Sequence, residues 1–318
     1  MRPLLSLLSP AGARGRLSIL IWHRVLPAQD AIFPEEMHAA RFDATLGWIK
    51  RAFNVLPLHA AAAQLKTGTL PARALAITFD DGYEDNHSVA LPLLRKHGLT
   101  ATFFIATSFI DGGRMWNDTV IETVRRASVG AFDAGEFGRY ELGDANTRRA
   151  AIDSLIGKIK YLGFDARRAA VDALAARAGV TLPHDLMMSA DQVRDLKAAG
   201  MTIGAHTRSH PILAKIAQED ALAEIAQGRA ELEEMIGERV TLFAYPNGRP
   251  DQDYRSEHVV MVREMGFDAA VSTTWGASRH GDDPFQLRRF SPWDTSRGKF
   301  LTRMGFNQLR SPAKIPLA

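Results

Sequence analysis

Leu75-Ala-Ile-Thr-Phe79 runs directly into Asp80-Asp81-Gly82. The first five residues are apolar or β-branched and end at a turn former, the pattern of a short strand buried on both faces. Neighbouring side chains on a strand point to opposite faces. Where the strand ends the backbone bends, and both carboxylates can then reach one site. Two carboxylates that close repel, so at least one needs a cation or a proton. A divalent metal would meet that need. The motif also reads as a plain strand-end turn, because Asp-Gly is a common turn dipeptide.

The same alternation extends in both directions. Leu17–Trp22, Thr102–Ile105, Met201–Gly204, Val240–Ala244, Ala269–Ser272 and Gln286–Phe290 read as further strands. Helix-period stretches fill the gaps at Phe42–Phe53, Leu58–Lys66, His87–His97, Ala190–Ala199, Asp220–Ile236 and Asp253–Met265, and Ser189-Ala-Asp-Gln192 fits a capping box. Repeated strand–helix units predict a parallel sheet or barrel wrapped by helices. Seven strands favour an α/β fold of the distorted (β/α)7 barrel type over a doubly wound sheet. Trp116–Leu182 breaks the rhythm: it is Ala/Arg-rich and helical in pattern, with only a weak strand at Phe137–Leu142. It reads as a helical insertion on one βα connection of a single domain. Such connections build barrel active sites, so the insert is expected to act as a lid or substrate wall.

The chain has 318 residues, 46% hydrophobic and 24% charged, which is the profile of a globular protein with a sizeable core. It has no cysteine, which excludes disulfides, thiolate metal sites and cysteine nucleophiles. Every acidic residue lies between Asp30 and Asp294. Arg2, Arg14, Arg16 and Arg24 precede that span, and Arg297, Lys299, Arg303, Arg310 and Lys314 follow it. Removing these nine from 39 Lys and Arg leaves 30 basic against 36 acidic residues, a body of net −6 between basic end segments 1–16 and 295–318. Such ends can touch an anionic membrane face, as a peripheral contact, or can simply be solvated. No stretch approaches the roughly 20 apolar residues that span a bilayer. Met1–Arg16 makes a poor secretory signal, which favours a cytoplasmic or membrane-peripheral location over a secreted one. No nucleic-acid signature, Gly-rich phosphate loop or Gly-x-Ser-x-Gly elbow is present.

The second chemical motif is His206-Thr-Arg-Ser-His210-Pro211, after the strand Met201–Gly204. Histidines four apart share one face of a helical turn, as metal-binding pairs do. Two imidazoles and one carboxylate leave positions open on a zinc-like ion, the catalytic arrangement. Both motifs sit at strand ends, hence on one rim of a parallel barrel. At these residues the chain resembles the polysaccharide deacetylases of the NodB-homology type, carbohydrate esterase family 4. The resemblance covers roughly Leu17 to Trp293, the insert excepted. It implies a single divalent ion, Zn2+, a glycan substrate and removal of N-acetyl groups. It casts Asp80 as general base, Asp81, His206 and His210 as metal ligands, and Thr207 as the hydroxyl bracing the loop.

Two further motifs depart from the commonest family pattern. Phe243-Ala-Tyr-Pro-Asn-Gly248 lacks the usual Arg and resembles the circularly permuted subgroup that deacetylates poly-N-acetylglucosamine. The backbone N–H of Tyr245 is the expected oxyanion donor and Asn247 a substrate contact. Arg289 could supply the charge that Asp80 otherwise lacks, or could form a surface salt bridge. No late histidine motif follows Phe285, whereas Ile19-Leu-Ile-Trp-His23 places His23 at a strand end, where the permuted order expects the general acid. Trp116 could stack on a sugar, and Asp118 could bind a hydroxyl. Hydrolysis of a small cyclic amide or an O-acetyl ester, and non-catalytic glycan binding, are the competing readings.

Overall fold

The computed structural model describes residues 2–310; Lys314 and the rest of the basic end segment beyond Arg310 lie outside the described residues. The described residues divide into two compact units, one built from residues 2–28, 37–110 and 188–310, the other from 29–36 and 111–187.

The first unit is the barrel. Its seven parallel strands are β1 (Arg16–Trp22), β2 (Ala74–Phe79), β3 (Thr102–Ile105), β4 (Thr202–Ala205), β5 (Leu242–Ala244), β6 (Ala269–Val271) and β7 (Arg289–Phe290). Each pairs with the next, from Trp22↔Phe79 through Ala244↔Val271. β7 returns to β1 through Ile19↔Arg289. Between β6 and β7 the ladder thins to a bridge at Val271↔Leu287, so the barrel is nearly closed. This is the distorted (β/α)7 barrel, not the doubly wound sheet.

The period of two explains the register. Ile19, Ala76, Phe104 and Leu242 share one apolar cluster, while their chain neighbours Leu20, Ile77, Phe103 and Phe243 belong to the other, among the surrounding helices. Phe104 takes the space left by Gly204, where an added Cβ would meet its ring at 2.4 Å. Three expected elements are shorter. The last strand begins at Arg289 because Pro284–Gln286 forms a 3-10 turn capped by the Asp283 carboxylate. The late helix begins at Ser256, after a turn in which Pro250 bridges Tyr254. The expected helix His87–His97 opens with a π-helical turn, Asn86–Ala90.

The second unit is wider than the expected insertion. It holds the helices Trp116–Arg126, Ala145–Ile159 and Phe164–Ala178, and the weak strand is real: Arg139–Leu142 pairs antiparallel with Gly130–Asp133. Residues 29–36, far upstream, join it. Ile32 is buried in its core, Arg125 binds Asp30 at 2.8 Å, and Arg149 binds Glu35 at 2.6 Å.

Candidate metal centre and active site

Two carboxylates leave β2 in different states. The Asp80 N–H still donates to Trp22 O at 2.9 Å, as if the strand continued. Asp81 (φ 79°) and Gly82 (φ 92°) then take left-handed conformations in succession. For a non-glycine residue that geometry is strained, and strain of this kind gathers where the surroundings impose it. The bend brings both carboxylates to one site: Asp80 Oδ2 lies 3.8 Å and Asp81 Oδ1 3.5 Å from His206 Nε2.

The histidines follow β4. They do not share a helical turn, as their spacing predicts; the segment is an irregular loop in which Thr207 (φ 62°) and His210 (φ 55°) are left-handed. Its shape is held from within and from outside. Thr207 Oγ1 donates to His206 O at 2.5 Å and accepts from the His210 N–H at 3.1 Å. Glu224, on the helix Gln218–Ile236, accepts from the N–H groups of Arg208 and Ser209 and from the Ser209 hydroxyl. One turn further along that helix, a Cβ on Gly228 would lie 2.6 Å from the Thr207 carbonyl, so only glycine lets helix and loop approach so closely.

His206 Nδ1 lies 2.7 Å from Ala244 O. A carbonyl can only accept, so Nδ1 carries the proton and Nε2 presents its lone pair inward, the orientation metal-binding histidines adopt. His210 Nε2 lies 3.5 Å from the same Asp81 oxygen. That Oδ1 is buried and has no hydrogen-bond partner. Leaving a buried carboxylate oxygen unpaired is costly, and a cation removes the cost. One ligand atom each from Asp81, His206 and His210 fall within 4.8 Å of one another. With ligand bonds of about 2.0–2.2 Å, the two 3.5 Å separations from the Asp81 oxygen fit neighbouring corners around one ion. The donor set therefore fits a zinc-like metal.

Asp80 is neutralised differently. Arg289 is fully buried and grips it with both terminal nitrogens, at 2.6 and 2.8 Å. The guanidinium is itself fixed by Nε donating to Ser272 O at 3.1 Å, and it lies over the Phe104 ring. Burial alone would raise the Asp80 carboxyl; the Arg289 charge outweighs it and holds the group below its ordinary value. Burial would likewise raise Asp81, but its contact with His206 and the imidazoles around it lower it. His210 is pushed down to about 4, chiefly by burial. Burial also disfavours a charged His206, yet Asp80 and Asp81 together raise it.

His23 follows β1, across from Asp80. Its imidazole is exposed, and a proton on it would help to lower Asp80, Asp81 and His210. The segment is anchored by Asn86, which donates to His23 O at 2.9 Å, and by Asp85, which accepts from the Val25 N–H and Arg24 Nε at 2.8 Å each. Tyr245 corrects the sequence reading. β5 ends at Ala244, as expected, but its last pair with β6 takes up the Tyr245 N–H, which donates to Val271 O at 3.3 Å. Its ring is buried, stacked on Tyr254 with centroids 3.9 Å apart. Asn247 (φ 57°) is exposed on the following turn, where its carbonyl accepts from Thr273 Oγ1 at 2.7 Å. Trp116 and Asp118 belong to the second unit. Trp116 packs against that unit's core with Arg167 over its ring at 5.2 Å. Asp118 is buried in the first helical turn, where a carboxylate complements the helix dipole.

Sequence reasoning missed Glu224, Gly228, Asp85 and Asn86. The last two lie three and four residues after Gly82, and that proximity to the Asp80-Asp81-Gly82 motif is their only signal. Glu224 and Gly228 look like ordinary members of an amphipathic helix.

Residues 67–270 match the family model for polysaccharide deacetylases. The Bacillus subtilis (strain 168) protein named "Putative polysaccharide deacetylase YxkH" is 21% identical over 276 residues, spanning 86% of this chain and 70% of the relative. Among solved structures, IcaB from Ammonifex degensii aligns with a TM-score of 0.60 at 19% identity, covering 94% of this chain and 98% of the other. The Streptococcus pyogenes deacetylase PplD, solved in complex with acetate, aligns with a TM-score of 0.60 at 17% identity, covering 91% and 98%. At these identities the two structures establish the shared fold.

Proposed function

The chain belongs to the polysaccharide deacetylase family, and we propose that it is a metal-dependent N-deacetylase acting on a polysaccharide or glycan precursor that contains N-acetylglucosamine. One observation carries the reading. The Asp81 oxygen that lacks a hydrogen-bond partner lies 3.5 Å from an imidazole nitrogen of His206 and of His210, beside a second carboxylate already neutralised by Arg289. One aspartate is left for a metal and the other for proton transfer.

Asp81, His206 and His210 would hold the ion. When bound, a zinc-like ion supplies Lewis-acid chemistry, acidifying a water and drawing charge from an acetamide oxygen. The chain's own groups do the rest. Asp80, kept ionised by Arg289, accepts the attacking water's proton. His23 gives a proton to the amine as the carbon–nitrogen bond breaks; without it an amide would have to expel a strongly basic anion. The developing oxyanion needs a donor. The Tyr245 N–H is occupied, and among the described residues no backbone carbonyl accepts from the Asn247 N–H on the adjoining turn. We assign that N–H the task.

Acetate release by metal-stripped and zinc-reloaded protein from chito-oligomers, poly-β-1,6-linked oligomers, peptidoglycan fragments, O-acetyl esters and small cyclic imides tests the proposal. Zinc-dependent release from an N-acetylglucosamine oligomer is expected. Turnover confined to esters or imides would replace the substrate assignment, and no turnover with zinc bound would point to glycan binding alone.

A further inference from the structure

Exposed large apolar side chains are few and unevenly placed. Leu4 (51% exposed), Leu7 (77%), Phe306 (68%) and Leu309 (52%) lie on the helices Arg2–Leu8 and Arg297–Leu309, with Trp275 and Trp293 on nearby loops. The two helices are neighbours: the Leu8 side chain reaches within 3.7 Å of where a Cβ on Gly305 would sit. Leu5, Phe300, Leu301 and Met304 bury the inner faces in the barrel unit's core. Burial of those faces leaves Leu4, Leu7, Phe306 and Leu309 outward, each pair three residues apart.

The surrounding charge has one sign. Neither helix contains an acidic residue, while Arg2, Arg297, Lys299, Arg303 and Arg310 lie on them or at their ends. Asp294, the acid beside this face, is buried and bound by Arg303 Nε at 2.9 and 3.0 Å. Trp275 and Trp293 contact one another at 5.1 Å, and Arg310 and Arg303 lie over their rings. A groove of about 850 Å3, lined by Trp275, Phe290, Phe306 and Leu309 together with Lys299 and Arg310, opens along the second helix.

Apolar residues ringed by cations, with indoles beside them, match the chemistry of a bilayer interface. Apolar side chains enter the headgroup boundary, tryptophan rings sit at headgroup level, and lysine and arginine pair with anionic lipids. Among the described residues no helix is long and apolar enough to cross a membrane, so this face would lie on the bilayer surface. We infer that the face formed by Arg2–Leu8, Arg297–Leu309, Trp275 and Trp293 is a peripheral docking surface for an anionic lipid bilayer.

The test is co-sedimentation of the full chain with vesicles of phosphatidylglycerol and phosphatidylcholine, or of phosphatidylcholine alone. Binding is expected to the anionic vesicles and to weaken as salt rises. Leu7→Ser with Phe306→Ser, and separately Arg2→Glu with Lys299→Glu, should each lower it about tenfold or more at an unchanged Tm. Lipids brominated near the headgroup should quench the protein's fluorescence, and Trp275→Phe with Trp293→Phe should remove most of that quenching. Equal binding to both vesicle types, or binding untouched by either pair of substitutions, would overturn the proposal. So would a dimer in light scattering that Phe306→Ser dissolves, since a second copy would then be the occupant.

Discussion

Each unit buries acidic side chains, and the two sets are satisfied in different ways. In the second unit Glu122 is met by Arg125 at 3.0 Å and Arg126 at 3.2 Å, three and four residues along its own helix. In the barrel Asp80 is answered by an arginine 209 positions away. Asp81 beside it keeps one oxygen with no hydrogen-bond partner, 3.5 Å from an imidazole nitrogen of His206 and of His210. Burial of a carboxylate is therefore a poor pointer to chemistry. What separates the two sets is the leftover acceptor and the cost of holding it. The second unit meets Glu122 within its own helix, whereas the barrel places Asp81, Thr207 and His210 in left-handed backbone and leaves an Asp81 oxygen without a hydrogen bond beside two imidazoles.

The largest effect should come from removing that acceptor. Asp81→Ala or His210→Ala is expected to abolish bound zinc and to cut kcat/KM about a thousandfold or more, several kcal/mol of lost activation. Metal content by atomic emission and acetate release should fall together. An Asp81→Ala protein that still held one equivalent of zinc would place the ion elsewhere and erase the contrast between the acid sets. Asp80→Asn separates the barrel's two carboxylates from each other: zinc should stay while turnover falls about a hundredfold or more.

Arg289→Met tests the long-range partner. It leaves Asp80 as an unpaired buried charge, which typically costs about 3–5 kcal/mol. The pH dependence follows from the sign of the shift. The native Asp80 carboxyl is lowered, so the pair stabilises the fold above the unfolded carboxyl's value of about 3.9 and ceases to do so as pH falls through the native value. The stability gap between wild type and variant should be widest near neutrality and narrow in acid, as chemical denaturation across pH can show. Without Arg289 the Asp80 carboxyl rises, and the acid limb of kcat/KM should move to higher pH. An unmoved limb would remove Asp80 from proton transfer.

How much of this was legible depends on whether a residue's neighbours in sequence are also its neighbours in space. Asp80, Asp81, His206 and His210 stand in short motifs at the ends of apolar runs, so strand periodicity alone sent them to one rim. Arg289 was legible only as one of two possibilities, because nothing near it in sequence states that its partner lies across the barrel. Gly228 and Glu224 were invisible, since their role is to meet a loop that is itself irregular. The strand end at Ala244 was legible, but not that the N–H one residue beyond it, on Tyr245, still donates to the neighbouring strand. The second unit was legible as helical and no more: Gln29–Glu36 joins it through contacts with Arg125 and Arg149 that no local pattern announces.

His23→Ala should act on one step. If the imidazole protonates the departing amine, acetamide substrates should slow about a hundredfold, while esters with good leaving groups should slow little. Equal slowing of both would make His23 a structural residue. Because Asn86 holds the His23 carbonyl at 2.9 Å, Asn86→Ala should show a weaker form of the same amide-selective loss.

The smallest effect bears most directly on the contrast between the two sets. Glu122→Gln keeps the shape of the side chain and removes the charge that Arg125 and Arg126 share. Arg125 retains Asp30 at 2.8 Å, so the cluster is weakened without being dismantled. The expected cost is about 1–3 kcal/mol of stability, as for one buried charged hydrogen bond, with zinc content and kcat/KM unchanged. A Tm shift alone would mean that the second unit's acids serve its own packing. A loss of zinc or turnover at unchanged Tm would show that a carboxylate with every partner in its own helix still acts on the chemistry, and an unmatched oxygen would no longer be the feature that marks the site.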